Sequence, residues 1–351
     1  MGLDPKLDIV ERALHGFVNQ LVCRGEGYLP KAQAITFFET ILPCNGNLNR
    51  SLLSQLESEG LLAVEPVRQY DGCVEAMVRF TFERFSDHAI AARLLDDHLS
   101  KEDIEGSFKA GERLGELVFG EESHRYAGII EAIAIQLPER TGHEILELRG
   151  TSSWIVRDAF FESFLWRDQK CFSDRTFELL EVHGDSHSVN KVLISIATEP
   201  ANKFNAKCIH QNLIGMVMPE RDRVWSAYVA RSGEDEGGPI ETLINWALLN
   251  GLENIEDERA ELAALTLAWL LSTSNRAVRD KATKSLAALF ANRLQLAASV
   301  LHQFAKTDDL YVLERLFAAA YGAALQGTAT SGLANLAETT FSLVFASGIP
   351  P

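Results

Sequence analysis

The chain has 351 residues, 46% of them hydrophobic and 23% charged, with 49 acidic against 33 basic side chains and a formal net charge of -16. That content supplies a core and argues against wholesale disorder, while the negative field repels a polyanion unless a local basic face overrides it, so nucleic acid is not the expected ligand. Five dispersed cysteines, Cys23, Cys44, Cys73, Cys171 and Cys208, lack CxxC pairing, which predicts a reducing, cytoplasmic setting and no disulfide framework.

Met1 to Ala13 mixes charged and apolar residues and lacks the apolar core of a signal peptide, so export is not expected. Leu7, Val10, Leu14, Phe17, Val18 and Leu21 then make one helical stripe that Gly25 and Gly27 end. A second short helix is predicted after Pro30, using Ile35, Phe38 and Ile41. A third runs through Leu52, Leu53 and Leu56 with Asn47 or Asn49 as its cap and Gly60 as its stop. Next, Leu61 to Val67 and Val74 to Phe82 are β-prone runs joined around Tyr70-Asp71-Gly72, a hairpin signal because Asp-Gly supplies the positive φ of a tight turn. Three helices followed by a hairpin outline a winged helix. A fourth helix, capped by Ser86 or Asp87, is predicted to end near Leu99, and the first domain boundary is placed near Ser100.

Beyond that point helix follows helix, with apolar faces from Phe108 to Phe119, Tyr126 to Leu137, Phe160 to Trp166 and onward to Leu333 to Phe345. Helix pairs recur every ~35 to 50 residues without strict identity, as degenerate HEAT- or TPR-like repeats do. The expected fold class is therefore mostly α, a winged-helix-like domain over 1–100 followed by an α-solenoid of helical hairpins over 101–351. The most apolar window, Leu262 to Leu271, is about half the length of a membrane span, so no membrane segment is expected. Arg231 to Pro239, rich in glycine and acid, is predicted to be a long solvated loop.

The most informative stretch is Trp269 to Phe290. An apolar run ends at Leu271, Ser272 to Asn275 offers caps, and Val278, Ala282, Leu286 and Leu289 recur at helical spacing. Arg279 and Asp280 fall just inside the second helix, where repeats of the HEAT type often hold an arginine that ties one turn to the next.

Catalytic signatures are weak. Nucleotide hydrolysis needs a glycine-rich loop ending in Gly-Lys-Ser or Gly-Lys-Thr, and the dipeptide Gly-Lys does not occur. Cys171, His183, Asp185 and His187 match no standard zinc spacing and suggest a polar turn between helices. Cys208 and His210, as alternate residues of a helix, do not share a face. The third helix of the winged-helix pattern carries only Arg50 against Glu57 and Glu59, which suits packing better than DNA, although Arg68 and Arg79 on the wing keep a DNA-binding regulator open. Glu83 to His88 is the best functional cluster, a charged strand-to-helix junction anchored by Phe80, Phe82 and Phe85; a capped, ion-paired helix start explains it as well. The five tryptophans, Trp154, Trp166, Trp225, Trp246 and Trp269, are expected to pack between helices.

Several phrases in order resemble the prokaryotic antiviral STAND NTPases called Avs. They are Val78-Arg-Phe-Thr-Phe-Glu-Arg-Phe-Ser-Asp-His, Gln136-Leu-Pro-Glu, Phe161-Glu-Ser-Phe-Leu-Trp-Arg, Phe204-Asn-Ala, Glu220-Arg-Asp-Arg-Val-Trp, Ser274-Asn-Arg-Ala-Val-Arg-Asp-Lys-Ala-Thr and Tyr311-Val-Leu-Glu-Arg-Leu. Family members carry an effector, a P-loop ATPase with a winged helix, and a helical-repeat sensor for a phage protein. The resemblance covers only the winged helix and the first part of the sensor, and implies a non-catalytic recognition segment truncated at its C-terminal end. It implies no cofactor here, with ATP or ADP and Mg belonging to a missing NTPase domain. The implied partner is a phage structural or packaging protein, with oligomers in the full-length context, no membrane and a cytoplasmic location. By the same likeness Glu83, Arg84 and His88 become candidates for nucleotide sensing or a domain contact, although no histidine precedes Arg84. Arg221, Arg223, Arg276, Arg279 and Asp280 become candidates for protein binding or for bracing repeats.

The competing expectations are a winged-helix regulator or scaffold that binds another protein, and a hydrolase built on Cys171 and His183. If the reading frame is complete, apolar surface should lie exposed around Leu333 to Phe345.

Overall fold

A computed structural model describes residues 8–68, 72–148, 153–249, 252–327 and 330–346. Most of these residues are helical, with one small three-stranded sheet, and the chain divides into two units, Met1–Arg167 and Asp168–Pro351. Among the described residues no helix is long and apolar enough to cross a membrane.

The first unit opens with α1 (Ile9–Arg24), whose stripe buries Ala13, Phe17, Val18 and Leu21 and which Gly25 ends at φ 73°. There follow β1 (Leu29–Pro30), α2 (Lys31–Ile41), α3 (Leu52–Ser58), β2 (Leu62–Arg68) and β3 (Val74–Phe80). The sheet order is β1-β3-β2 with both pairings antiparallel; Leu62 faces Phe80 and Arg68 faces Val74. The predicted hairpin is present, although its turn residues Tyr70 and Asp71 lie outside the described residues. Ser51, not Asn47 or Asn49, caps α3 by accepting the Ser54 N–H at 3.2 Å, because a 3-10 turn over Leu48–Arg50 intervenes.

The next helix, α4 (Glu83–His98), starts three residues before the expected cap, so Ser86 and Asp87 lie inside it. The edge-on packing of Phe85 against Phe80, 5.3 Å between ring centres, joins strand to helix, and no side chain caps that end. Then come α5 (Ile104–Ser107), α6 (Arg113–Phe119), α7 (Ala127–Thr141) and α8 (Trp154–Ser163). The run expected from Phe108 to Phe119 is broken because Gly111 takes φ 89°, outside the helical region. Ser100 falls within this unit, since α4 packs on both α1 and α7, and α7 on α8. Near its end a buried ion pair joins Arg167 to Glu144 at 2.7 Å, with the guanidinium 4.5 Å from the Phe164 ring centre.

The second unit contains α9 (Asp174–His183), α10 (Ser186–Ile196), α11 (Ala206–Gly215) and α12 (Met218–Arg221), a π turn over Asp222–Ser226, and α13 (Ala227–Ser232). It continues with α14 (Pro239–Ala247), α15 (Asp257–Leu270), α16 (Arg276–Phe290), α17 (Leu294–Phe304), α18 (Leu310–Gln326) and α19 (Leu333–Val344). These helices pack as two rows, α10-α14-α16-α18 and α11-α15-α17-α19, joined by α15 on α16 and α17 on α18. Every residue of α15 from Leu262 to Leu270 is buried, which accounts for the most apolar window of the sequence. The loop expected from Arg231 to Pro239 is shorter, because α13 runs to Ser232 and Pro239 opens α14. Asn275 caps α16 and Asp309 caps α18, each accepting two backbone N–H groups.

Trp225 and Trp269 are buried as expected, and their indoles are satisfied: Trp225 donates to the Trp269 carbonyl at 2.9 Å and Trp269 to His210 Nδ1 at 3.2 Å. Trp154 and Trp166 differ from expectation, being 62% and 56% exposed. The inward positions of α8 are filled by Ile155, Val156, Ala159 and Phe160 instead.

Candidate functional site

Two groups of side chains, one in each unit, are organised beyond what packing requires. In the first unit the group lies at the start of α4, where Glu83, Arg84 and His88 share one helix. Glu83 is exposed. Arg84 pairs with Glu131 of α7 and stacks over the exposed Trp166 ring with its guanidinium carbon 4.0 Å from the ring centre. His88 offers its backbone carbonyl to Gln136 Nε2 at 2.9 Å, while burial and then the Arg84 charge push its imidazole pKa below the usual value. The same seam continues one turn on, where Arg140 donates to Asp96 at 2.6 Å and to the Ala92 carbonyl at 3.4 Å. Gln136 and Arg140 thus rivet α7 to α4.

Asp87, a candidate cap within the Glu83 to His88 cluster, is the most perturbed acid here. Burial first, then the neighbouring Glu83 and Glu131, raise its carboxyl pKa to about 6 against a partial offset from Arg84. Its signal in the sequence was faint: an acid one turn after Glu83 on a helix whose other face is apolar. Exposed Phe82 and Trp166 accompany Arg84, and arginine and tryptophan are the side chains that most often dominate protein interfaces.

In the second unit the candidates separate into braces and free ends. Arg221 is fully buried: it donates to the Met216 carbonyl at 3.1 Å, the Leu213 carbonyl at 3.4 Å and Asp308 at 2.5 Å, and lies 5.2 Å from the Trp269 ring centre. It cannot meet a ligand without unfolding its surroundings. Arg279 also serves as a tie, donating to the Thr273 carbonyl at 2.8 Å across the turn before α16, with its guanidinium 5.1 Å from the Tyr311 ring centre. Asp280 accepts from Arg315 at 2.9 Å and pairs with Arg276 at 3.5 Å, which holds its carboxyl below the usual range, the Arg315 hydrogen bond being the largest cause. Arg276 remains 85% exposed despite that pair, and Arg223 is exposed on the π turn.

The π turn and the starts of α16 and α18 meet at one edge of this unit. Asp222 and Ser226 of the π turn, Thr273 and Arg279 before and in α16, and Asp309 and Tyr311 at the start of α18 line a cleft of about 400 Å³. Nothing local in the sequence marks Tyr311, Arg315 and Asp308 as partners of Arg279, Asp280 and Arg221, from which they lie 32, 35 and 87 residues away.

The weak metal cluster has structural roles. Asp185 caps α10 by accepting the Ser188 N–H at 2.8 Å, and His187 stands edge-on to Tyr228. Among the described residues no group of three His, Cys, Asp or Glu side chains is placed to hold a metal ion. On the β2-β3 hairpin, Glu65 accepts from Arg79 bidentately, both contacts at 2.8 Å, which neutralises one of the two basic residues that favoured DNA. No family model, curated protein or solved structure matches the chain.

Proposed function

We propose that this chain is a non-catalytic recognition and regulatory segment of an antiviral STAND NTPase, acting in the cytoplasm. The element order α1-β1-α2-α3-β2-β3 is read as a winged helix that couples to an ATPase core. The two helix rows are read as the near part of a HEAT- or TPR-like solenoid that binds a phage structural or packaging protein. The carrying observation is the polar edge of the second unit. There the starts of α16 and α18 and the π turn gather exposed Arg223 and Arg276 beside a cleft walled by Arg279 and Tyr311, while the helix bodies are spent on packing. Arginine and tyrosine at a concave, polar edge suit protein recognition. Glu83, Arg84 and His88 supply the coupling surface, with Arg84 and Trp166 as its anchor.

The test is stoichiometric binding of the purified chain to purified phage structural and packaging proteins, followed by size-exclusion chromatography with light scattering. The expected result is a defined complex with at least one of them that Arg223→Glu combined with Arg276→Glu weakens at least tenfold, both side chains being exposed and dispensable for folding. Absence of a complex with any of these proteins overturns the proposal, as does steady ATP hydrolysis that co-purifies with the chain. A salt-dependent gel shift of duplex DNA without protein binding would assign the winged-helix regulator instead.

A further inference from the structure

Three aromatic rings from three helices close one seam of the second unit. His210 of α11 lies 5.8 Å from Trp269 of α15 and 4.8 Å from Phe304 of α17, ring centre to ring centre, and Trp269 lies 4.8 Å from Phe304. We infer that His210 is a proton-operated latch on this seam: neutral, it holds α11 against α15 and α17, and protonated, it releases α11.

The latch follows from which ring nitrogen carries hydrogen. Trp269 is fully buried, and its indole donates to His210 Nδ1 at 3.2 Å, the one acceptor it has among the described residues. An indole N–H can only donate, so Nδ1 must be bare and the neutral imidazole must carry its hydrogen on Nε2. Protonation places a second hydrogen on Nδ1, and two donors then face each other where one bond stood. The buried indole loses its acceptor, which is costly away from water. The charge is also unwelcome among the rings, since the Arg221 guanidinium already lies 5.2 Å from the Trp269 ring centre.

The charged groups on the surrounding elements are engaged elsewhere. Lys207 of α11 is held by Glu258 and Glu261 of α15, Arg259 by Glu199, and Asp257 by Arg293. Arg221 of α12 is held by Asp308. On α10, Lys191 is exposed and His187 packs on Tyr228, while His302 of α17 meets Thr339 of α19. Among the described residues no acid is placed to stabilise a charged His210. Burial lowers its pKa, and only the Gln303 backbone opposes that shift. The sign is therefore that of a group favoured neutral by folding: its contribution is complete above pH ~6.5 and is lost as pH falls from there through the lowered folded-state value.

Nuclear magnetic resonance on the full chain, with nitrogen-15 in its histidines and tryptophans, tests the latch without any variant. His210 should show hydrogen on Nε2 at pH ~8 and titrate with a midpoint below ~6.5. The Trp269 indole signal, assigned by its contact with the His210 ring, should shift with the same midpoint. Amide exchange in α11, corrected for the intrinsic pH dependence, should quicken at least tenfold between pH ~7.5 and ~5 while α16 keeps its protection. His210→Gln offers the indole an acceptor that does not titrate, and should abolish that acid-induced opening. Hydrogen on Nδ1 at high pH, a midpoint at or above ~6.5, or a Trp269 signal indifferent to the His210 titration overturns the inference. Acid-induced opening of α11 that persists in His210→Gln overturns it as well.

Discussion

Arg221 is buried while its partner Asp308 is 47% exposed, so the two ends of the pair are not equivalent. Removing the acid leaves a desolvated guanidinium facing only carbonyls, and Asp308→Asn is expected to cost about 2 kcal/mol in urea unfolding. Adding Arg221→Met should restore part of that loss, because a methionine fills the space beside Trp269 without a charge to satisfy; loss that simply adds would show the two residues to be uncoupled. Arg221 holds the Asp308 carboxyl below its ordinary range. The pair's contribution is therefore complete above pH ~4 and is lost as pH falls toward the depressed folded-state value. Asp87 has the opposite sign. Its carboxyl titrates near 6 in the folded chain, so its ionisation penalty grows between pH ~4 and about 6 and is constant above. Asp87→Asn should then stabilise the protein by about 1 kcal/mol at pH 7, after allowance for solvent screening, and by nothing at pH ~3. Equal stability of the two proteins from pH 4 to 7 would refute that assignment.

At the scale of elements, α15 and α19 are the extremes of the second unit. Nine consecutive residues of α15, Leu262 to Leu270, are buried and α11, α14, α16, α17 and α18 all pack against it, whereas α19 buries Leu336 and Thr339 and rests chiefly on α17. Local opening follows buried contact, so amide hydrogens of α19 are expected to exchange first and those of α15 only near global unfolding. Comparable protection in both would contradict the packing. This contrast was legible in the sequence, since α15 is apolar all round while α19 has an ordinary stripe. So were the β2-β3 hairpin, the Asn275 cap and the Arg279 tie, because each is a local matter of spacing or turn chemistry. The start of α4 was not legible: Ser86 and Asp87 are good capping residues, but Phe80 and Phe85 pack together and pull the helix boundary back to Glu83. Nor was the exposure of Trp154, since α8 has more large apolar side chains than inward positions, or that of Trp166, which lies in the turn beyond the end of α8. Of the candidate residues, Arg221 could be found but not assigned, because its carboxylate partner lies 87 residues away.

At the scale of the whole molecule, the notable surface is the outward side of α18 and α19. Phe317, Tyr321, Leu333, Phe341, Val344 and Phe345 line an open groove of about 630 Å³, and Tyr321 and Phe341 are 68% and 62% exposed. An apolar patch of that kind costs free energy in water and favours association. The charged side chain that lines it, Glu314, is acidic, on a chain whose formal net charge is already -16. Two copies meeting at this groove would therefore bring like charges together, and apolar attraction would compete with a repulsion that salt screens within about 10 Å at 0.1 M. The expected behaviour is binding of an apolar fluorescent dye at any ionic strength, together with self-association that strengthens as salt is added. Phe341→Glu should suppress both, since it places another negative charge in the middle of the patch without disturbing a buried side chain. A wild-type chain that binds no dye and sediments as a monomer at both low and high salt would show that the groove is closed in solution.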